Sequence, residues 1–305
     1  MKGFIVKVLI LCSIFLSTIL SFAETIVDYA RTGNTTEVMK MISAGTSVNF
    51  KNSFDETALM EASRRGNSAM VRLLLENGAD VNVVNNNGST PLMEAAANGF
   101  RDIVRLLIDK GALVSVKNSN GTTALIEASR KGRLEVVKLL LERKAEVNAK
   151  NKNGTTALLE SVIDGFPEIA RLLLDSGADV NLRNQNGAFP LAEAVNGGFG
   201  DLAKQMLDSG ALGSAKGPEI NSLLTAAARK GLKNIVEMLL DKGADIDQKS
   251  LFISSCRNGQ TDIARLLLSK GVDVNSRTAQ NETALMVASA GGFLVTVKFF
   301  FESKA

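Results

Sequence analysis

Apolar residues return along this chain in a fixed phase rather than by strict alternation. Leu59, Leu92, Leu125, Leu158, Leu191 and Leu224 stand 33 residues apart, Phe252 follows after 28, and Leu285 after another 33. Seven residues beyond each lies a glycine: Gly66, Gly99, Gly132, Gly165, Gly198, Gly231, Gly259 and Gly292. Gly33, with Ile26 in the leucine place, extends the series backwards, so about nine units run from Glu24 to Ala305. Such a period marks stacked supersecondary units, each too small to bury its apolar face alone.

Within a unit the pattern predicts helix, turn, helix and extended loop. Leu59, Ala62, Ser63 and Gly66 fall at i, i+3, i+4 and i+7, one face of a short helix whose small side chains admit a close neighbour. Thr57, Thr90, Thr123, Thr156 and Thr283 stand at N-cap positions, with Pro91 at the first helical position behind Thr90. The recurring glycine suits a left-handed helix end. A second helix follows, with Val71, Leu74 and Leu75 inward and Arg72 and Glu76 outward. Asp102, Glu135, Glu168, Asp201 and Asp262 sit in its first turn, where negative charge complements the helix dipole. It closes at Gly78, Gly111, Gly177, Gly210, Gly243 and Gly271, Lys144 being the exception. Asn87-Gly88, Asn120-Gly121, Asn153-Gly154 and Asn186-Gly187 then mark tight turns in a connecting finger. The units fall near 24–49, 50–82, 83–115, 116–148, 149–181, 182–214, 215–247, 248–275 and 276–305.

Three motifs recur in phase: Thr-Pro-Leu-Met-Glu-Ala-Ala (90–96), Ile-Val-Arg-Leu-Leu-Ile (103–108) and Gly-Ala-Asp-Val-Asn (78–82). In these the chain resembles the ankyrin repeat family over essentially everything after residue 23. The resemblance implies an all-α solenoid of helix-turn-helix units with short hairpin fingers. It also implies a non-catalytic scaffold that recognises another protein through its fingertips and its concave first-helix surface.

The departures from that family pattern are specific. Where the family keeps a histidine after the Thr-Pro-Leu leucine, Met60, Met93, Ile126, Leu159, Ala192 and Met286 stand. Its second recurrent histidine is Phe100, Phe166, Phe199 and Phe293, which predicts inter-repeat packing. The seventh unit begins irregularly between Gly213 and Pro218. The spacing from Gly231 to Gly259 is five residues short, so the finger between Asp247 and Phe252 should be nearly absent, leaving a notch or bend.

The first 23 residues change the picture of location. Lys2 and Lys7 precede an apolar run from Val8 to Phe22 that ends in Ser21-Phe22-Ala23. Charged start, apolar run and small residues before Glu24 read as a secretory signal, 1–23, short for a membrane span of roughly 20 apolar residues. The expectation is an exported chain, periplasmic or secreted, meeting the membrane only if that segment stays uncleaved. Removing Lys2 and Lys7 lowers the net charge from +3 to +1 and leaves Cys256 as the remaining cysteine. A near-neutral body gives no basis for nucleic-acid binding. Cys256 takes a place filled by Ser63, Ala96 and Ser129 elsewhere, the place of a small buried side chain.

Composition also bears on chemistry: the chain contains no histidine. Ser-His-Asp and Cys-His nucleophiles and Cys/His zinc sites are thereby excluded. No catalytic residue, metal ligand or cofactor is assigned. One row of acids stands out: Glu61, Glu94, Glu127, Glu160 and Glu193 lie two residues after the core leucine in five consecutive first helices, and Ala226, Ser254 and Val287 follow in later units. Stacked helices place such carboxylates roughly 8–10 Å apart. One reading is a polar default, with Arg65 and Lys131 pairing at i+4 to Glu61 and Glu127. The other is an acidic strip that recruits a basic partner surface. Interchangeable carboxylates lack the distinct environments that acid–base catalysis requires.

Two further surfaces are candidates. Lys117, Lys150 and Lys152 lie along the fingers with Lys51 and Arg183, as a basic edge or as solvated charge. At the C-terminal end Val297, Phe300 and Phe301 take the inward positions, so Phe299 and Phe300 either fold inward or offer a docking face for a partner or second copy. The expectation is a monomeric exported adaptor or inhibitor that binds a protein, the alternative a structural spacer held to the membrane by an uncleaved anchor.

Overall fold

The computed structural model describes residues 24–213, 217–244 and 246–302. The expected signal segment, three residues of the irregular seventh start and the last three residues lie outside the described residues.

The described residues form eighteen helices, two per repeat. The first four repeats carry α1 (Ile26–Thr32) and α2 (Thr35–Ser43), α3 (Ala58–Arg65) and α4 (Ser68–Glu76), α5 (Pro91–Asn98) and α6 (Arg101–Asp109), and α7 (Ala124–Arg130) and α8 (Leu134–Glu142). The next three carry α9 (Ala157–Ile163) and α10 (Pro167–Asp175), α11 (Pro190–Gly197) and α12 (Gly200–Asp208), and α13 (Gly217–Arg229) and α14 (Lys233–Asp241). The last two carry α15 (Gln248–Arg257) and α16 (Thr261–Ser269), and α17 (Ala284–Ala290) and α18 (Leu294–Glu302). Among the described residues the nearest thing to a strand is one antiparallel bridge, Arg277 to Thr283.

The described residues fall into two compact blocks, one up to Glu146 and one from Val147 onward. In the first block α1, α3, α5 and α7 pack one on the next, and so do α2, α4, α6 and α8. In the second, the odd-numbered helices α9 to α17 and the even-numbered α10 to α18 form the same two rows. Each first helix also packs on its own partner, so the core of each block lies between the rows. Leu59, Ala62, Leu92, Ala95, Leu125 and Ala128 are buried there in the first block, and Leu158, Leu191, Ala194 and Leu224 in the second.

Helix ends follow the sequence closely. Thr57, Thr90, Thr123, Thr156 and Thr283 each accept a hydrogen bond from the backbone N–H three residues on, which satisfies one otherwise orphaned donor. Lys144 holds a left-handed φ of 61° where the other second helices from α2 to α16 run into a left-handed glycine. Asn34 and Asn67 cap α2 and α4, but Phe100, Phe166 and Phe199 stand at the equivalent places without a side-chain cap. Their rings serve packing instead. A methyl group built on Gly66 would lie 2.5 Å from the Phe100 ring of the next repeat, and one on Gly259 would lie closer still to the Phe293 ring of the next repeat. Phe100 and Phe293 therefore pack across a glycine of the preceding repeat, as the departures from the family pattern predict, whereas Phe199 crowds Gly197 of its own repeat.

The fingers rest on an asparagine that the Asn-Gly pairs alone did not reveal. The Asn85 side chain accepts from the N–H groups of Asn87 and Ser89, and Asn52, Asn118, Asn151 and Asn184 repeat the arrangement. A second asparagine joins neighbouring repeats. Asn82 donates to the Gly111 carbonyl at 3.1 Å and accepts from the Leu113 N–H at 2.9 Å. Asn49, Asn148 and Asn181 do the same one repeat apart. At the equivalent place in the third repeat Ser115 accepts one bond, from the Glu146 N–H.

Both irregular repeats are visible. The seventh opens with α13, thirteen residues long and the longest of the described helices. In the eighth the finger is gone: α15 begins at Gln248, straight after Asp247, whose carboxylate accepts from the Lys249 N–H at 3.0 Å and the Ser250 hydroxyl at 2.6 Å. Burial pushes this carboxyl up less than its Ser250 hydrogen bond pulls it down, so it stays below the ordinary aspartate value.

The C-terminal helix corrects one expectation. Thr296, Phe299 and Phe300 face inward on α18, whereas Phe301 is 73 % exposed beside exposed Leu294 and Val295. The inward face is turned by one residue, because positions 296, 299 and 300 share a side at helical spacing. Thr296 and Thr261 share a 2.7 Å hydrogen bond, and Phe300 packs edge-on to Phe252 at 6.1 Å between ring centroids. Arg265 lies 4.3 Å over the Phe299 ring. Phe299 and Phe300 are core residues and offer no docking face.

Candidate partner-binding surfaces

The acid row is mostly scaffold. Glu61 is 1 % exposed, which removes it as a contact residue. Its two carboxylate oxygens meet Arg64 at 2.6 Å, Arg65 at 3.0 Å and Arg31 at 3.3 Å. Arg64 also pairs with Glu56, and with Glu94 at 2.9 Å, so one guanidinium joins two members of the row across adjacent repeats. Hydrogen bonding to Glu94, with Glu56 adding to it and burial opposing it, raises Arg64 above its usual pKa. Burial pushes the Glu56 carboxyl up, but the Arg64 hydrogen bond and charge outweigh that and hold it below its usual value.

Glu127 pairs with Arg130 at 2.6 Å, three residues on, rather than with Lys131. Helix geometry allows either spacing, and the guanidinium fork is the better partner for a carboxylate. Glu94 and Glu127 both border a cavity of about 170 Å³ that Arg130 and Lys131 also line. These carboxylates therefore face cations of the same chain, and the first-block part of the row is not a free acidic strip. In the second block Glu160 and Glu193 are half-buried on α9 and α11.

The fingers are the more open surface. Lys117, Lys150 and Lys152 are exposed. Lys117 approaches Glu146 at 3.9 Å, and Lys51 donates to the Val84 carbonyl at 3.1 Å. Arg183 pairs with Glu219 and lies 4.0 Å over the Phe189 ring. No ion pair among the described residues engages Lys150 or Lys152. Cys256 is fully buried, and desolvation pushes its thiol up to about 12, so it is a packing residue as its small equivalents indicate. No helix among the described residues is long and apolar enough to cross a membrane.

The arginine part of this arrangement carried a weak sequence signal. Arg64 and Arg130 both stand three residues after a row glutamate, yet the reach of Arg64 to Glu56 and Glu94 depends on loop and stacking geometry. Arg31 lies in the preceding repeat.

Stacked helix pairs, glycine-closed turns and asparagine-braced fingers define a repeat protein of the helical solenoid class. The family described as ankyrin repeats (3 copies) matches residues 26–118, 113–184, 165–250 and 248–305. The chain belongs to the ankyrin repeat family, whose repeats are in general scaffolds for protein–protein interaction. A solved ankyrin repeat domain from Acinetobacter baumannii AYE is similar at 34 % identity, with a TM-score of 0.57, over 61 % of this chain and 97 % of that one. No curated protein matches.

Proposed function

We propose that this chain is a non-catalytic scaffold, exported from a bacterial cell to the periplasm or beyond, where it acts as an adaptor or inhibitor by binding another protein. The observation that carries the reading is the contrast between occupied and open chemistry. Arg64 holds Glu56, Glu61 and Glu94 inside the scaffold, while Lys150 and Lys152 stand exposed on a finger. Carboxylates paired in this way lack the split environments that a general acid and base need. The likeness to a bacterial ankyrin repeat domain supports the bacterial origin, and the charged, apolar, small-residue order of residues 1–23 supports export.

Two measurements test it. A photocrosslinking residue at Lys117, Lys150 or Lys152 should trap one discrete protein from the envelope or culture fluid, and Glu substitutions there should abolish the adduct. A chain that yields no discrete adduct at any of the three overturns the scaffold reading. Intact mass of the native protein should begin at Glu24; retention of residues 1–23 would instead favour the membrane-held spacer.

A further inference from the structure

We propose that the gap left by the missing finger in the eighth repeat is a seat for an acidic segment of a partner protein, with carboxylate side chains held by Arg257, Arg277 and Lys249. The proposal rests on the scaffold reading and names the chemistry of the partner.

The gap is a cavity of about 460 Å³, within the range of small-ligand pockets. Its floor is one face of α15, from Lys249 to Arg257, and its wall is the finger of the ninth repeat; the equivalent groove of the third repeat, which keeps its finger, measures about 170 Å³. Lys249, Arg257 and Arg277 are exposed and line it. Asp247 is the acid in the lining, and its carboxylate is already committed to the Lys249 N–H and the Ser250 hydroxyl.

The row of acids explains why Arg257 is available. Arg64, Arg130 and Arg257 hold the same register, three residues after the row position. In the second and fourth repeats that position is Glu61 and Glu127, each 2.6 Å from its arginine. In the eighth it is Ser254, an exposed residue that also lines the cavity. Arg257 therefore has no acid on its own helix face and reaches Glu282 at 3.3 Å, a solvent-exposed pair that holds it weakly. Arg277 donates to the Asn281 carbonyl at 3.1 Å and keeps further N–H groups for a ligand. Finger loss and glutamate loss thus coincide in one repeat, and together they turn a neutral stretch of the first-helix face cationic. Two guanidinium forks beside hydroxyl and amide groups match carboxylates on a peptide, which they can bind in bidentate fashion.

The test uses the whole protein and a fluorescein-labelled oligoglutamate peptide, read by anisotropy at low and at physiological salt. The peptide should bind, more weakly as salt rises. It should lose roughly tenfold or more in affinity with Arg257→Ser/Arg277→Ser. Arg130→Ser, which removes a cation already paired to Glu127, should leave binding unchanged. Ser254→Glu should lower it without altering the circular dichroism, a check that does not depend on deleting a cation. No binding by about 1 mM peptide, equal binding by the double variant, or tighter binding of a labelled oligonucleotide would each overturn the proposal. If the peptide fails while finger crosslinks still form, the cationic seat falls and the scaffold reading stands; if the crosslinks fail, the scaffold reading itself falls.

Discussion

The second and eighth repeats place an arginine at the same register and use it in opposite ways. In the second, Arg64 is tied to Glu61, Glu56 and Glu94 and is 30 % exposed; in the eighth, Arg257 faces Ser254 and is 58 % exposed. The helix, the core leucine or phenylalanine and the glycine that follows are equivalent in both. What differs is one residue three positions earlier and one loop. A repeat thus fixes where a side chain stands, whereas its neighbours fix whether the charge is structural or offered to solvent.

The comparison breaks first at Glu61. Glu61→Ala removes a buried carboxylate from three arginines that can partly rehydrate, so a cost of about 2 kcal/mol is expected, below the full penalty for splitting a buried pair. Ser254→Ala in the eighth repeat should cost no more than about 0.5 kcal/mol. Urea unfolding of both variants decides the matter, and equal costs would erase the distinction between the two repeats. Acid should act next. Glu56 has a folded-state pKa below its usual value of 4.5, so its contribution is fully present above that pH and is lost as pH falls through the folded value. Thermal melts from neutral pH down to pH 3 should therefore drop less steeply for Glu56→Gln than for the unchanged chain, its stability at neutral pH being lower. The smallest effect sharpens the contrast from the other side. Ser254→Glu recreates the i, i+3 pair in the eighth repeat and should stabilise by only about 0.3 kcal/mol, measurable as a small rise in the urea midpoint.

The helical register was legible in the sequence because it rests on local rules. Thr57 and its equivalents cap through their own hydroxyls, the left-handed helix ends favour glycine, and Phe100 and Phe293 meet Gly66 and Gly259 at positions the period specifies. Lys144 shows the limit of a composition rule: the backbone there turns left-handed without glycine, because the fold around it dictates the turn. The acid row was legible as a row but not as a burial pattern. Its spacing was readable from the period, whereas the insertion of Arg64 between Glu61 and Glu94 depends on how two helices and the Glu56 loop meet in space. The inward face of α18 was displaced by one residue for a similar reason. Three consecutive phenylalanines, 299–301, satisfy either face, and packing against Phe252 and Arg265 selects between them.

The asparagine that joins adjacent repeats carries a consequence for how the chain comes apart. A residue such as Asn82 grips a carbonyl and an amide of the following repeat at once, so opening that junction sacrifices both bonds in a single event. Linear arrays of this kind melt as units only while nearest-neighbour coupling exceeds the instability of each repeat. At Ser115 the grip is a single bond to the Glu146 amide. The substitution of one short side chain for another thus loosens a rung in the coupling, and within the first block an unzipping front would find a place to stop there.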